Sequence, residues 1–396
     1  MLTGAQIETL RGYFGDRSPT LVPGMCLNEH HRGAACTACT DGCPAAAIAN
    51  TQGAPQLQPD RCVGCGLCLT ACPVEAWRQD APSERKLVET AAGLSDAQLT
   101  VVCALHPHPD RPATPSVQVV RHRRCLAALD LADMLALCDG GDRTVWLDDT
   151  PCDTCPLQAA AVLRARVAVA NDLLEAYGQA ACLELASVSA TSPSVRSLPV
   201  VDGGQPKLSR RRLFGALRRA QTEHESTPLL ARQRLLVALP AVEDAIAVVL
   251  PAKAPFAQVS VGAVRCSGCG LCAHFCPTAA LAWTVAETDS EDGGAMFALG
   301  FHVAACVACP ICTLACPEGA IRLTDGVTAA ALVEASPPLV TGQLVACRDC
   351  GALTAEMPGD SRCHVCRHSA GPVTPLHDGA GLMADLLRRS APRSAE

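Results

Sequence analysis

Cys62-Val63-Gly64-Cys65-Gly66-Leu67-Cys68-Leu69-Thr70-Ala71-Cys72-Pro73 is the stretch whose reading decides the fold. Three thiols on one tight loop can reach three corners of one metal cluster. The fourth, followed by proline, points elsewhere. Gly64 and Gly66 supply the permissive backbone such a loop needs. The spacing recurs at Cys266, Cys269, Cys272 and Cys276-Pro277, with Gly268 and Gly270, and again at Cys306, Cys309, Cys312 and Cys316-Pro317. A further run, Cys36, Cys39 and Cys43-Pro44, keeps the second half but has its first cysteine displaced. Cys26 is read as that ligand, across an inserted loop whose His30 and His31 are the alternatives. All four runs close on the same phrase, Cys-Pro-x-x-Ala-apolar, ending at Ile48, Trp77, Leu281 and Ile321. The proline is expected at the first position of a short helix launched by the fourth cysteine, where its missing N–H costs nothing.

The stretches 26–77 and 264–323 resemble the two-cluster bacterial ferredoxin module. The resemblance implies four [4Fe–4S] clusters with crossed ligation. Cys26, Cys36 and Cys39 would share a cluster with Cys72, and Cys62, Cys65 and Cys68 with Cys43. In the second module Cys266, Cys269 and Cys272 would pair with Cys316, and Cys306, Cys309 and Cys312 with Cys276. Backbone N–H groups of the loops would bond to cluster sulfurs and help set the potential. Residues 287–298, acidic and glycine-containing, read as a hairpin inserted between the halves of the second module.

Composition narrows the alternatives. The chain has 396 residues and 26 cysteines, 49% hydrophobic residues, 3% aromatics and a formal charge of -7. So few aromatics cannot build a base-stacking groove, and the negative charge argues against nucleic acid. Cysteines spaced two apart share a metal more readily than they bridge each other, so disulfides are not expected. The holo protein should be acidic, and a basic face on its redox partner would help docking. Residues 1–18 lack the basic flank and apolar core of a signal peptide. No uncharged run reaches the ~18 residues of a membrane span. A cytoplasmic protein in a reducing compartment is expected.

The middle segment, 99–187, changes character. Strands are expected at 99–102, 117–120, 144–147 and 182–188, with helices at 126–137 and 157–177. Strand alternating with helix implies a parallel sheet, and loops after parallel strands gather at one edge. Cys103, Cys125, Cys152 and Cys155 follow strand ends, so four thiolates can converge there on a fifth centre, either an iron–sulfur cluster or zinc; unligated cysteines are the remaining alternative. The segment resembles, loosely, the iron–sulfur delta subunit of methyl-viologen-reducing hydrogenases, though Cys103 lacks a close companion cysteine. His106 and His108, set between prolines, read as turn residues. Cys138 and Cys182 are left over as buried small hydrophobes.

Residues 188–260 read as a linker with a basic helix at 210–219, a solvated face or a docking site for an acidic partner. Cys347, Cys350, Cys363 and Cys366 have zinc-ribbon spacing, with Gly351 suited to a tight knuckle. A single iron would use the same ligands, and His364 and His368 lie near enough to compete. A terminal helix is expected at 380–389.

The fold class is α+β and multidomain: two ferredoxin-like modules, 1–98 and 261–330, flanking a small parallel α/β domain, 99–187, with a linker at 188–260, a zinc ribbon at 340–372 and a tail at 373–396. No residue presents itself as catalytic. Neither a nucleotide-binding glycine loop nor a Ser/His/Asp arrangement is found, and Cys138-Asp139-Gly140-Gly141 follows no strand. The reading is a multi-cluster electron-transfer protein serving a larger oxidoreductase such as a formate dehydrogenase, a hydrogenase or a heterodisulfide-reductase-like complex. The alternatives are a ferredoxin-type maturation factor and a reductase with its catalytic cluster in the middle domain.

Overall fold

The computed structural model describes residues 2–15, 18–51, 53–79, 83–116, 118–138, 143–189, 197–204, 230–240, 248–287, 295–334 and 336–369. The expected basic helix and terminal helix lie outside them. The chain divides into two compact units, Met1–Phe256 with Gly326–Ala330, and Ala257–Asp325 with Ala331–Glu396. Among the described residues no helix is long and apolar enough to cross a membrane.

The first unit begins with helix α1, Gly4–Phe14. Thr3 starts it with a capping box, its hydroxyl taking the Gln6 N–H while the Gln6 side chain returns to the Thr3 N–H. Four short strands follow: β1 Thr20–Leu21, β2 Ile48–Thr51, β3 Ala54–Leu57 and β4 Trp77–Arg78. They pair antiparallel as β1 with β4 and β2 with β3.

The middle segment builds a five-stranded parallel sheet from β5 Gln98–Val102, β6 Val119–Arg121, β7 Thr144–Leu147, β8 Leu183–Leu185 and β9 Val200–Asp202. The order is β8-β7-β5-β6-β9. Val101, Val119, Val120, Val145 and Leu147 are fully buried, as expected of a sheet covered on both faces. From β5 the chain steps outward to β6 and then returns to the opposite side as β7. That reversal puts a switch point at the carboxyl edge of β5, where open α/β sheets build their sites.

Several sequence expectations are corrected here. The helix expected at 126–137 is broken into a 3-10 turn, Leu126–Ala128, and a helix, Leu131–Leu137. Asp130 caps the second piece by accepting the Asp133 N–H, and Arg166 takes the Ala127 and Leu129 carbonyls at 2.6 and 2.7 Å. The strand expected at 182–188 stops at Leu185. A short helix, Ala186–Ser189, follows, where buried Asp149 accepts from the Ser187 N–H and hydroxyl at 2.8 and 2.6 Å. The presumed linker supplies β9 and the helix Ala231–Ala238, whose Arg234 pairs with Asp130 and Asp133. Cys138 and Cys182 are buried as expected, but bonded to each other as a disulfide with Cα atoms 6.1 Å apart. Cys138 ends the helix Leu131–Leu137 and Cys182 immediately precedes β8, so the bond sits at the amino edge of the sheet, away from the other middle cysteines.

The second unit holds β10 Gln258–Val261, β11 Leu281–Glu287, β12 Ala295–Phe301, β13 Ile321–Thr324, β14 Val340–Ala346 and β15 Leu353–Ala355. The pairing of β10 with β13 and of β11 with β12 repeats that of β1 with β4 and β2 with β3. The hairpin expected at 287–298 is real and longer, its strands running from Leu281 to Phe301. It is joined by β14 and β15 into one antiparallel sheet of order β11-β12-β14-β15.

Candidate metal centres

The recurring Cys-Pro phrase has a shared local geometry. The carbonyls of Cys43, Cys72, Cys276 and Cys316 accept the N–H three residues on, at 3.0 to 3.2 Å. The residue donating that bond, Ala46, Glu75, Ala279 or Gly319, has φ between 46° and 54°. The next N–H then reaches back to the cysteine sulfur, from Ala47 at 3.3 Å, Ala76 at 3.2 Å and Ala320 at 3.3 Å. That alanine is buried in every copy, and the following apolar residue opens β2, β4, β11 or β13. So the phrase encodes a turn into a strand. The expected helix after the proline is not there; a helix of four or five residues instead precedes each fourth cysteine, at Ala38–Asp41, Leu67–Ala71, Leu271–His274 and Ile311–Ala315. Proline serves the turn by its fixed φ.

The structure gathers the thiols into sets drawn from distant runs. Burial raises the Cys39 thiol, and Cys72, Cys36 and Cys26 raise it further, while the buried indole N–H of Trp77 opposes them. Cys26 in turn feels Cys72. His31 Nδ1 accepts the Gly33 N–H. Cys65 is pushed up to about 12 by burial, against the Leu67 N–H and with the help of Cys43 and Cys62. Burial pushes Cys68 up as well, with Cys65, Cys62, Cys43 and Cys39 adding to it. In the second unit burial lifts Cys272 to about 12, with Cys269, Cys266 and Cys316 contributing. Burial lifts Cys312 to about 12 too, with Cys309, Cys306 and Cys276 contributing. The fourth thiol of each set thus comes from the other run of its module. A void of about 20 Å³ is lined by Cys43, Cys62, Cys65 and Cys68, and another by Cys266, Cys269, Cys272 and Cys316.

The middle cysteines also converge. Burial brings Cys103 to about 11, with Cys155 adding to it. Burial brings Cys152 to about 12, with Cys103 and Cys155 adding. Cys125 is raised well above a free thiol by burial, by Cys103 and Cys152, and by Cys65 of the neighbouring set. The sets therefore touch electrostatically in sequence, Cys39 with Cys68 and Cys65 with Cys125. Thiols held this high are neutral near pH 7, so a metal that takes them must displace their protons.

Residues 55–78 match the family model of a 4Fe-4S binding domain, and residues 265–320 that of a 4Fe-4S dicluster domain. A ferredoxin of Streptomyces griseus is 43% identical over 51 residues, 12% of this chain and 49% of the relative. A ferredoxin of Rickettsia felis is 33% identical over 55 residues, 14% of this chain and 50% of the relative. The chain spans about half the length of these curated relatives. It carries two ferredoxin-type 4Fe-4S domains. These matches support an iron–sulfur electron-transfer protein.

In the first ferredoxin-type domain the match begins after Cys43, so the run with the displaced cysteine lies outside it. Nothing in the cysteine spacing points to what supports this domain. Arg124, buried, lies against Gly66 and pairs with Glu84 at 3.2 Å, and His122 Nε2 is 3.6 Å from the same carboxylate. Burial alone would raise Glu84; His122 and Arg124 outweigh it and hold it at about 2. His106, expected as a turn residue, is 3.2 Å from Asp148. On α1, Arg11 donates to the Cys62 and Pro59 carbonyls and ties that helix to the cluster loop.

The sixth set differs in scale. The four Sγ atoms of Cys347, Cys350, Cys363 and Cys366 all lie within 4.8 Å of one another. Cys350 and Cys363 are 3.7 Å apart. A tetrahedral ion with metal–sulfur bonds of about 2.3 Å requires sulfur–sulfur edges of about 3.8 Å, so this group fits one ion. Gly351 forms the knuckle at φ 78°. Burial alone would raise Cys347, but N–H groups of Cys363, Asp349 and Cys350 outweigh it and bring it to about 6. The following helix, His364–His368, is held by Arg367, which pairs with Glu318 of the fourth Cys-Pro turn. His368 Nε2 is 3.6 Å from the same carboxylate.

Proposed function

We propose that this chain is a multi-cluster electron carrier that serves a larger oxidoreductase, such as a formate dehydrogenase, a hydrogenase or a heterodisulfide-reductase-like complex. Four [4Fe–4S] clusters would be held by the crossed sets: Cys26, Cys36, Cys39 and Cys72; Cys43, Cys62, Cys65 and Cys68; Cys266, Cys269, Cys272 and Cys316; Cys276, Cys306, Cys309 and Cys312. Cys103, Cys125, Cys152 and Cys155 would hold a fifth iron–sulfur centre, and the ribbon cysteines one zinc. A bound cluster supplies one-electron redox chemistry. The protein's part is to space the thiolates, exclude water and aim N–H groups at sulfur.

The observation that carries this reading is the succession of thiol sets in the first unit, Cys39 beside Cys68 and Cys65 beside Cys125. Adjacent centres suit relay of single electrons, whereas a lone catalytic centre needs no such succession. Iron, acid-labile sulfide and zinc per chain in anaerobically purified protein test it. Roughly 20 irons with one zinc are expected from five cubes and a ribbon. Roughly 16 irons with one zinc would remove the middle centre and with it the relay out of the first domain. Iron well below that, with sulfide equally low, would overturn the reading altogether.

A further inference from the structure

A cavity of about 440 Å³ opens beside the middle thiols. It is some twenty times larger than the voids of about 20 Å³ among the second and third thiol sets, so it holds far more than a cluster would fill. α1 forms one wall through Thr9, Leu10 and Tyr13, and Leu105 and Pro107 contribute another. Cys103, Cys152 and Cys155 line it as well, but Cys125 does not; that thiol interacts with Cys103 and Cys152 of its own set and with Cys65 of the ferredoxin-type domain. The middle set therefore has one side toward the ferredoxin-type domain and one side toward an open cavity.

The lining decides what fits. Among the described residues no Asp, Glu, Lys, Arg or His borders the cavity. The Thr9 and Thr154 hydroxyls are already given to the Ala5 and Pro151 carbonyls. A phosphate-bearing carrier, nicotinamide or flavin, would find no cation to meet its charge, and burying that charge unpaired is costly. The volume falls in the range of small-molecule sites, which are mostly apolar with few polar groups. We propose that this cavity binds a small, flat, uncharged carrier of the quinone type, which rests on reading the middle thiols as a redox centre. Such a carrier is uncharged in both states and needs no cation from a lining without Lys, Arg or His. Its reduction takes two electrons, one from each of two reduced centres that return to their oxidised state, and two protons from solvent. The two carbonyls become hydroxyls and the product is again uncharged.

The test uses the oxidised, anaerobically purified full chain and 2,3-dimethyl-1,4-naphthoquinone, whose blocked ring carbons do not add a thiol. Equilibrium dialysis should give saturable binding at one site. Thr9→Trp, which fills the cavity from an exposed helix position, should weaken it by more than about tenfold. Glu8→Trp, exposed on the same helix but outside the lining, should bind as the parent does. The 6-sulfonate of the same dimethylated quinone should bind at least about tenfold more weakly, since its charge has no partner. Non-saturable uptake, indifference to Thr9→Trp, or equal binding of the sulfonate would each overturn the proposal. Binding does not require the clusters. Roughly 20 irons without binding sinks the cavity alone, and binding at roughly 16 irons sinks its redox role.

Discussion

Gly66 and Gly270 stand at the same place in two cluster loops, at φ 84° and 70°, yet different neighbours press on them. A Cβ on Gly66 would meet the Arg124 side chain at 3.0 Å and Ala128 at 3.1 Å. A Cβ on Gly270 would meet the Trp283 ring at 2.9 Å. The loop itself answers to its thiols. Its outer face answers to whatever the chain docks there. In the first unit that is the α/β domain, and because Cys125 follows Arg124, the packing that seats the arginine also brings a further thiol toward Cys65. In the second unit it is the β11–β12 hairpin, whose Trp283, Phe297 and Leu299 line the third thiol set instead. One loop design thus serves as a junction in one unit and is closed by aromatic and aliphatic side chains in the other.

The largest effect should come from removing the arginine at the junction. Arg124→Met leaves the buried Glu84 with His122 as its remaining partner, and breaking a buried pair costs about 3–5 kcal/mol. The urea midpoint should fall accordingly, with loss of iron from the middle set; an unchanged midpoint would mean that the junction rests on packing alone. The same carboxylate gives a pH dependence. Glu84, held at about 2, contributes stability that is fully present above the unfolded value near 4.3 and is lost as pH falls through about 2. Glu84→Gln should remove this acid-side slope, which stability measurements from pH 5 to about 2 would reveal.

Next come the glycines. Forcing Cβ into the left-handed region costs roughly 1–2 kcal/mol at either site. Gly270→Ala should cost more than Gly66→Ala, because the rigid indole at 2.9 Å must move, whereas Arg124 and Ala128 at 3.0 and 3.1 Å need yield only slightly. The reverse order in denaturation midpoints would break the comparison. The smallest effect is expected at the ribbon surface. Arg362→Gln removes the half-buried pair with Asp360 at 2.8 Å, and zinc per chain should stay unchanged, since neither residue is among the four thiols.

What was legible in the sequence was the part where chemistry restricts spacing. The cysteine runs, the glycines of the cluster loops and the alternation of strand and helix in the middle segment lie where they were read. The Cys-Pro turn was misread as a helix start because proline suits both, and the positive φ at Ala46, Glu75 and Ala279 falls on residues with no glycine signature. Strand β9 is three residues long, too short for a periodic signal. The Glu84, His122 and Arg124 cluster was invisible because its members come from segments far apart in the chain. The cavity beside the middle thiols escaped for a similar reason: α1 lies nearly a hundred residues upstream of Cys103.

The N–H groups of Ala47, Ala76 and Ala320 point at cysteine sulfur. Being main-chain atoms, these donors are deleted only where proline replaces the alanine. Whatever electronic tuning they supply is written into the path of the backbone, so any other substitution can alter it only by bending the turn. Surfaces around these turns are therefore free to diversify while the N–H groups stay aimed at the cysteine sulfurs.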